Sequence, residues 1–476
     1  MNTDRIQLRQ TLDKRFDLEE LRTLCHDLNV DFDNLRGEGK VSKARELVLF
    51  MERRDRLDEL AAAIVLFLST EDRPADQELA PEPAPTYHLV DIRIFGAAPK
   101  QDVDVYPVEL TVSGGRDFPR GQFRLDRPAL LTLSADSEAY GRALGEALFA
   151  EEAIGDAYQE TLAVFQSQGS KARVRLRLDS PALHDVRWER IYHPIAGSWH
   201  PLAATADTLL SRYVPVQAWG RPDPLTVRPL RALVVLASPG NLAEYNLAAI
   251  SDKEFEAWHT IFDSQPNITP TYLESATPNR PPTLDRIRQA LMDGYQIVHF
   301  VCHGAQTRRG TVLYLENVDG AVEPVRAGRL LETFRTLTTR PHLCFLAACE
   351  SGSRGSSDAF IPLGPALVAE GGVPAVVAMA ERVGIVTARQ FAHQFYDRVL
   401  AHGVVDLAVH QARAMVRERW DWSVPVLFSR LPDNQLFEPH RPTLAKIQRP
   451  LPGLNTPNPF GTTGRITDPD RFGEAQ

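Results

Sequence analysis

Two apolar runs, 297–302 and 343–348, constrain this chain more than any other feature. The first reads Ile297-Val298-His299-Phe300-Val301-Cys302 and stops at His303-Gly304. The second reads Leu343-Cys344-Phe345-Leu346-Ala347-Ala348 and stops at Cys349-Glu350-Ser351-Gly352. Short continuous apolar runs that end in polar, glycine-containing loops predict strands buried on both faces, which is the habit of a parallel sheet. Parallel strands finish at the same edge of the sheet, where ligands bind in the crevice beyond the carboxyl ends. The two runs therefore bring an imidazole and a thiol to one rim.

A chain of 476 residues is long for one core and predicts two or three domains. Its apolar content of 43% is ordinary, so sizeable cores can form. A net charge of -9 speaks against binding the phosphate backbone of nucleic acids, which needs clustered Lys and Arg. The four cysteines, Cys25, Cys302, Cys344 and Cys349, show no framework spacing, and three lie in apolar patterns, as in a reducing compartment. No apolar leader follows Met1, and the longest apolar stretch, around 60–68, is too short to cross a bilayer. The expectation is a cytoplasmic protein with no membrane contact.

Five segments are legible. Residues 1–70 predict an all-helical bundle, with helices opened by Asp17, Ser42 and Asp55 and a turn at Gly37 and Gly39. Residues 71–86, with Pro74, Pro81, Pro83 and Pro85 among acids, predict an extended linker. Residues 87–227 predict mixed α/β structure: strands over 103–112, 123–133 and 172–178, and one or two helices over 135–168. Residues 228–432 alternate strands (near 230, 268, 297, 312, 343, 375 and 424) with helices (251–263, 283–293, 327–337, 360–370, 386–401 and 405–419). That succession predicts a mostly parallel sheet with helices on both faces. Residues 433–476 predict a proline-rich tail extended over the surface.

The rim residues suit acyl transfer. A thiolate is the nucleophile, and a neighbouring imidazole promotes its formation and later protonates a leaving amine. Cys349 is the candidate nucleophile and His303 the candidate acid and base. The backbone N–H groups of Gly304 and Cys349 are candidates for the oxyanion hole, since Gly304 lets substrate come close. The loop 350–358 (ESGSRGSSD) is small and polar. Cys302 should point to the opposite strand face from His303, and Cys344 lies too far back along its strand, so both are core candidates. Without C-x₂-C spacing no zinc site is expected, and no cofactor. Neither a G-x-x-x-x-G-K-[ST] nor a G-x-S-x-G motif occurs.

Several stretches together resemble the CHAT family of caspase-like proteases, in the clan of caspases and separase. They are VHFVCHGA, LYLEN, LCFLAACESG, GGVPAVVAMA, FAHQFYDRVL and WSVPVLFSR, with RLRLDSPALHDVRWERIYHP and RPLRALVVLASP upstream. The resemblance implies a caspase-like α/β fold, a Cys–His dyad, and a pseudo-catalytic half (87–227) ahead of the catalytic half (228–432). The first 70 residues resemble an effector-associated domain, a death-fold-like adaptor. That implies recruitment by a partner carrying a similar bundle, a protein substrate, and a role in bacterial antiphage defence or cell death.

Specificity stays open. Relatives that cut after basic residues carry Asp two residues before the nucleophile, and here that position is Ala347. Arg354 or Arg382 would suit an acidic P1 side chain, and Asp358 or Glu381 a basic one. Caspase-like folds hold peptides by main-chain pairing at a sheet edge, which makes Ala380, Glu381 and Arg382, leaving the 375–379 strand, candidates for substrate contact beside Asp358. Two other classes compete with an endopeptidase: a non-proteolytic scaffold that signals by assembly, and a small-molecule hydrolase.

Overall fold

The computed structural model describes residues 5–15, 39–54 and single positions near them (21, 24–25, 30, 32, 35–37, 56–57 and 60). It also describes 86–438 apart from 97–103, 114–115, 196, 217, 227–228, 276, 278–279 and 348–359. The chain divides into two compact units, Met1–Pro85 and Thr86–Gln476.

In the first unit, helices α1 (Arg5–Arg15) and α2 (Lys40–Glu52) contribute to a small apolar core. Leu8 and Leu12 meet Ala44, Leu47, Val48 and Met51 there, with Leu21, Leu24 and Cys25 filling the space between. The Lys43 ammonium donates to the carbonyls of Phe32 (2.9 Å) and Leu35 (2.6 Å), tying the preceding loop to α2. One correction to the sequence expectation follows. The helix over 40–52 begins at Lys40 after Gly39, so Ser42 lies inside its first turn and does not cap it. The helix α1 agrees with the all-helical reading of this region, but its bounds were not legible, because its stripe of Leu8 and Leu12 is thin among charges. Asp17, Asp55 and most of 71–86 fall outside the described residues.

The second unit is built on one mostly parallel sheet. Its strands are β1 (Tyr87–Ile94), β2 (Asp104–Val112), β3 (Arg116–Asp117), β4 (Gly121–Leu125), β5 (Lys171–Leu178), β6 (Tyr192–Ile195), β7 (Ser198–Pro201) and β8 (Thr208–Tyr213). They continue as β9 (Leu230–Leu236), β10 (Ile268–Glu274), β11 (Ile297–Val301), β12 (His303–Thr307), β13 (Gly310–Glu316), β14 (Val322–Arg326), β15 (Leu343–Ala347), β16 (Ala375–Met379) and β17 (Pro425–Ser429). Twelve of them form the main sheet in the order β10-β9-β11-β15-β16-β17-β8-β5-β1-β2-β3, with β4 beside β2. The sheet runs unbroken from the 87–227 half into the 228–432 half through the parallel pairing of β17 with β8. Strands β12, β13 and β14 make a separate antiparallel sheet, and β6 and β7 pair alone.

The helices are α3 (Arg127–Thr132), α4 (Ser137–Phe149), α5 (Glu152–Ser167), α6 (Asp252–Asp263), α7 (Leu284–Met292), α8 (Ala327–Arg335), α9 (Phe360–Ala369), α10 (Ile385–His402) and α11 (Val405–Met415). Alternation along the central strands sends side chains into two cores. Val298, Phe300, Cys302, Cys344 and Leu346 face one, with Leu284 and Ile287 of α7, Phe334 of α8 and Leu367 of α9. Ile297, Val301, Phe345 and Ala347 face the other, with Trp258 of α6, Phe391 and Phe395 of α10 and Val409 of α11. Helices therefore cover both faces, as in a caspase-like α/β fold. Local signals start several of them: Ser251 and Glu254 form a capping box on α6, and the Thr283 side chain caps α7.

The alternating strand Arg173-Val174-Arg175-Leu176-Arg177-Leu178 shows what its polar face is for. Arg173 donates to Asp406 of α11 at 2.7 Å, and Arg175 donates to Asp91 of β1 at 2.8 Å. The face is paired to acids, not merely solvated.

Two further expectations are corrected. The stretch 123–133 is not a strand throughout: β4 ends at Leu125, and Asp126 caps α3 by accepting from the N–H of Ala129 at 2.9 Å. Asp126 followed by Pro128 is a helix start that the apolar alternation concealed. The beginning of the tail is not draped over the surface either. Asn434, Leu436 and Phe437 are buried. Asn434 donates to Asp406 at 2.9 Å, and Gly403, at φ 78°, ends α10 against the Phe437 carbonyl, where a Cβ would lie 1.8 Å away. From residue 439 onward the tail lies outside the described residues.

Candidate active site

Strands β11 and β15 are parallel neighbours, and their register sets the site. Val301 lies opposite Ala347, and the Cys302 N–H donates to the Ala347 carbonyl at 3.3 Å. His303 is two residues past Val301, and Cys349 is two residues past Ala347. Adjacent strands lie about 4.8 Å apart, so the two strands end side by side at one rim. Cys349, Glu350 and Asp358 lie outside the described residues.

His303 opens β12, opposite Tyr314 of β13, and is only 5% exposed. Its Nε2 is 2.9 Å from the Ala248 carbonyl. A carbonyl only accepts, so Nε2 carries the hydrogen and Nδ1 of the neutral ring carries the lone pair. Burial holds the His303 pKa below its ordinary value, opposed by the Ala248 hydrogen bond and by the negative charge of Glu254. The resting ring is thus neutral near pH 7, with its tautomer chosen by the backbone. The Ala248 loop is itself anchored. Ile250 N–H donates to Ser238 Oγ at 2.9 Å, and Asn241 Oδ1 accepts from the Val322 N–H at 2.7 Å. Gly304 follows in β12, half-buried and opposite Leu313.

Cys25, Cys302 and Cys344 are buried, and burial beside Cys302 pushes the Cys344 thiol well above its usual range. His299 of β11, three residues before Cys302, is a core group. It is 0% exposed, its Nδ1 lies 2.9 Å from the Tyr396 hydroxyl, and its ring stacks on Phe345 at 4.6 Å.

The loop leaving β16 is held firmly. Ala380 is buried and its N–H donates to the Val424 carbonyl at 3.0 Å. The Glu381 carboxylate accepts from Arg187 at 2.8 Å and Arg190 at 3.4 Å. Arg382 is half-buried. Gly384 N–H donates to Asp421 Oδ2 at 2.7 Å, and Thr387 Oγ1 donates to Asp421 Oδ1 at 2.8 Å. Sequence reasoning missed Ala248, Arg187, Arg190 and Asp421. The first acts through its backbone and carries no side-chain signature. The others stand far from 380–384 in sequence, and only the fold brings them together.

A parallel-sheet α/β unit with a buried histidine at the sheet's carboxyl rim is a caspase-like arrangement. The CHAT domain model matches residues 138–441, and the model of effector-associated domain 7 matches residues 8–66. The chain belongs to the CHAT domain family and carries an effector-associated domain at its N-terminal end. No curated protein sequence gives a significant match. Among solved structures, one of the Saccharomyces cerevisiae separase–securin complex aligns at 11% identity and TM-score 0.39, covering 90% of this chain and 37% of that one. Another of the same complex aligns at 13% identity and TM-score 0.31, covering 54% and 16%. This chain thus spans well under half the length of either. Among the described residues, no helix is long and apolar enough to cross a membrane.

Proposed function

We propose that the protein is a cysteine endopeptidase that cleaves a partner protein after recruitment through its N-terminal domain. The observation that supports this reading is the register of Val301 opposite Ala347 on neighbouring parallel strands, each two residues before His303 and Cys349 in the sequence, with His303 fixed by the Ala248 carbonyl. In the reaction, His303 Nδ1 takes the Cys349 proton and the thiolate attacks the scissile carbonyl carbon. The N–H groups of Gly304 and Cys349 receive the developing oxyanion. The resulting imidazolium passes its proton to the leaving amine as the peptide C–N bond breaks. Water, deprotonated by the same ring, then hydrolyses the thioester and frees the thiol.

The substrate lies as an extended strand along 380–383. Because Glu381 is already paired with two arginines, it positions that loop, and side-chain selection falls to Arg382 and Asp358. The family and its adaptor domain support a place in bacterial antiphage defence, with the first unit docking on a partner that carries a similar bundle. Incubating the protein with a mixed-sequence peptide library and with lysate proteins tests the reading. Wild-type protein should yield new cleavage sites that Cys349→Ala and His303→Ala both abolish. Sites that persist in Cys349→Ala would overturn the assignment. Absence of cleavage by wild type under conditions where the adaptor is engaged by its partner would favour a scaffold that signals by assembly.

A further inference from the structure

At the end of the sheet opposite His303, a pocket of about 310 Å³ opens where β15 and β16 begin and β17 ends. Its walls carry Trp219, Arg340, His342, Gly372 and Arg430, with Thr338 and Thr339 at its edge. No carboxylate lines it among the described residues. That is unusual in a chain of net charge -9. Arginines that converge in a protein interior are ordinarily paired with acids. Among the described residues neither Arg340 nor Arg430 forms an ion pair. The nearby acid Glu370 is paired with Arg335.

The pocket is built, not incidental. The Trp219 indole N–H donates to the Ala369 carbonyl at 3.0 Å, and the Arg340 guanidinium lies over the ring at 4.2 Å. Arg430 donates to the carbonyls of Gly220 (2.8 Å) and Gly372 (3.2 Å), so its guanidinium is fixed at the join of two loops. Gly372 has φ +74°, and a Cβ there would fall 2.9 Å from Arg340 Cδ and 3.0 Å from Trp219 Cε2. The residue must be small and left-handed for Arg340 to stack on Trp219 here. The Nε atoms of Arg340 and Arg430 and Nδ1 of His342 have no hydrogen-bond partner among the described residues. Burial holds the Arg430 and His342 pKa values below their usual ranges, with repulsion from Arg340 adding at Arg430 and repulsion from Arg430 adding at His342. An anion would relieve the repulsion.

We propose that this pocket is a binding site for a phosphate-bearing ligand. Beyond the N–H groups given to the carbonyls of Arg335, Gly220 and Gly372, the two guanidiniums, with an imidazole and two threonines, still offer more donors than the two oxygens of a carboxylate can use. They match the three terminal oxygens of a phosphate, for which planar guanidinium forks are the preferred partner. The volume exceeds that of a lone phosphate and falls in the range of small-molecule sites, which favours a di- or polyphosphate. The site is independent of the proposed proteolysis. It sits at the amino end of the five-residue strand β15 whose carboxyl end leads to Cys349, about 17 Å along the strand.

The test is calorimetric titration of the full chain with inorganic phosphate, pyrophosphate and citrate at low ionic strength. The expected result is saturable binding of pyrophosphate at one site per chain, tighter than phosphate and much tighter than citrate. Arg340→Gln, which leaves the loop-stapling Arg430 in place, should weaken it by about ten- to a hundredfold. Thr338→Ala with Thr339→Ala should weaken it less, while far-ultraviolet circular dichroism stays unchanged in both variants. Failure of the wild type to show saturable binding would overturn the proposal. So would citrate binding as tightly as pyrophosphate, or pyrophosphate binding unaltered in folded Arg340→Gln.

Discussion

Val301 and Ala347 lie directly opposite each other on the parallel strands β11 and β15. His303 and Cys349 each follow two residues later in the sequence, so the proposed dyad rests on this register. The register is in turn fixed by two-sided burial. A slip of one residue would exchange the faces on which Cys344 and Phe345 sit, placing an aromatic ring in the core that holds Cys302. The proposed chemistry and the packing of the sheet therefore depend on the same alignment.

The Arg187–Glu381–Arg190 cluster joins the loop after β16 to the segment before β6, so it should control the substrate-facing edge. Glu381→Gln leaves two partly buried guanidiniums without their acid, at a cost of about 1–3 kcal/mol. Urea denaturation should show that loss, and peptide cleavage should fall with KM rising more than kcat changes. If Glu381→Gln matches wild type in both stability and KM, the cluster does not shape the loop.

Acid should unfold the second unit early. His193 and His299 are 0% exposed, and burial lowers both pKa values from 6.5 to about 3. Below pH 6.5 the unfolded chain takes up protons that the folded chain refuses until about pH 3, so stability is full above 6.5 and falls through that window. At pH 5 each histidine removes about 2 kcal/mol. The urea midpoint should drop between pH 7.5 and 5, and His299→Phe should reduce the pH slope even if it lowers stability overall. An unchanged slope in that variant would show that His299 titrates normally.

The N-terminal unit should recruit without catalysing. Its described residues place a compact core around Leu12, Leu47 and Met51, and the unit is separate from Thr86–Gln476 by contact. Removing residues 1–75 should leave hydrolysis of a short peptide within about twofold, a change of only about 0.4 kcal/mol. Cleavage of the partner protein in cells should fall sharply. A truncated protein that acts on the partner as well as the full chain would remove the adaptor role.

Much of this architecture was legible in the chain because two-sided burial writes itself into sequence. The 375–379 strand coincides with β16, and the expected helix at 251–263 with α6 and its Ser251 cap. What escaped reading was set by long-range pairing. The alternation of β5 is legible, but the partner of its Arg173, Asp406, stands far along the chain. Residues 434–437 read as tail, yet Asn434 completes the same network from the other side. At the candidate site, the strand-end position of His303 was legible. The Ala248 carbonyl that sets its tautomer could not, since any residue supplies that group.

The central claim is that Cys349 and His303 act as a pair, and the rate of Cys349 alkylation against pH tests it without a substrate. Iodoacetamide adducts at each cysteine would be counted by mass spectrometry in wild type and in His303→Ala. In wild type, Cys349 should react far faster than the buried Cys25, Cys302 and Cys344, with an apparent pKa below the value of about 8.5 for a free thiol. In His303→Ala the profile should move up toward that value. Superimposable profiles in the two proteins, or labelling of Cys349 no faster than the buried thiols, would contradict the dyad.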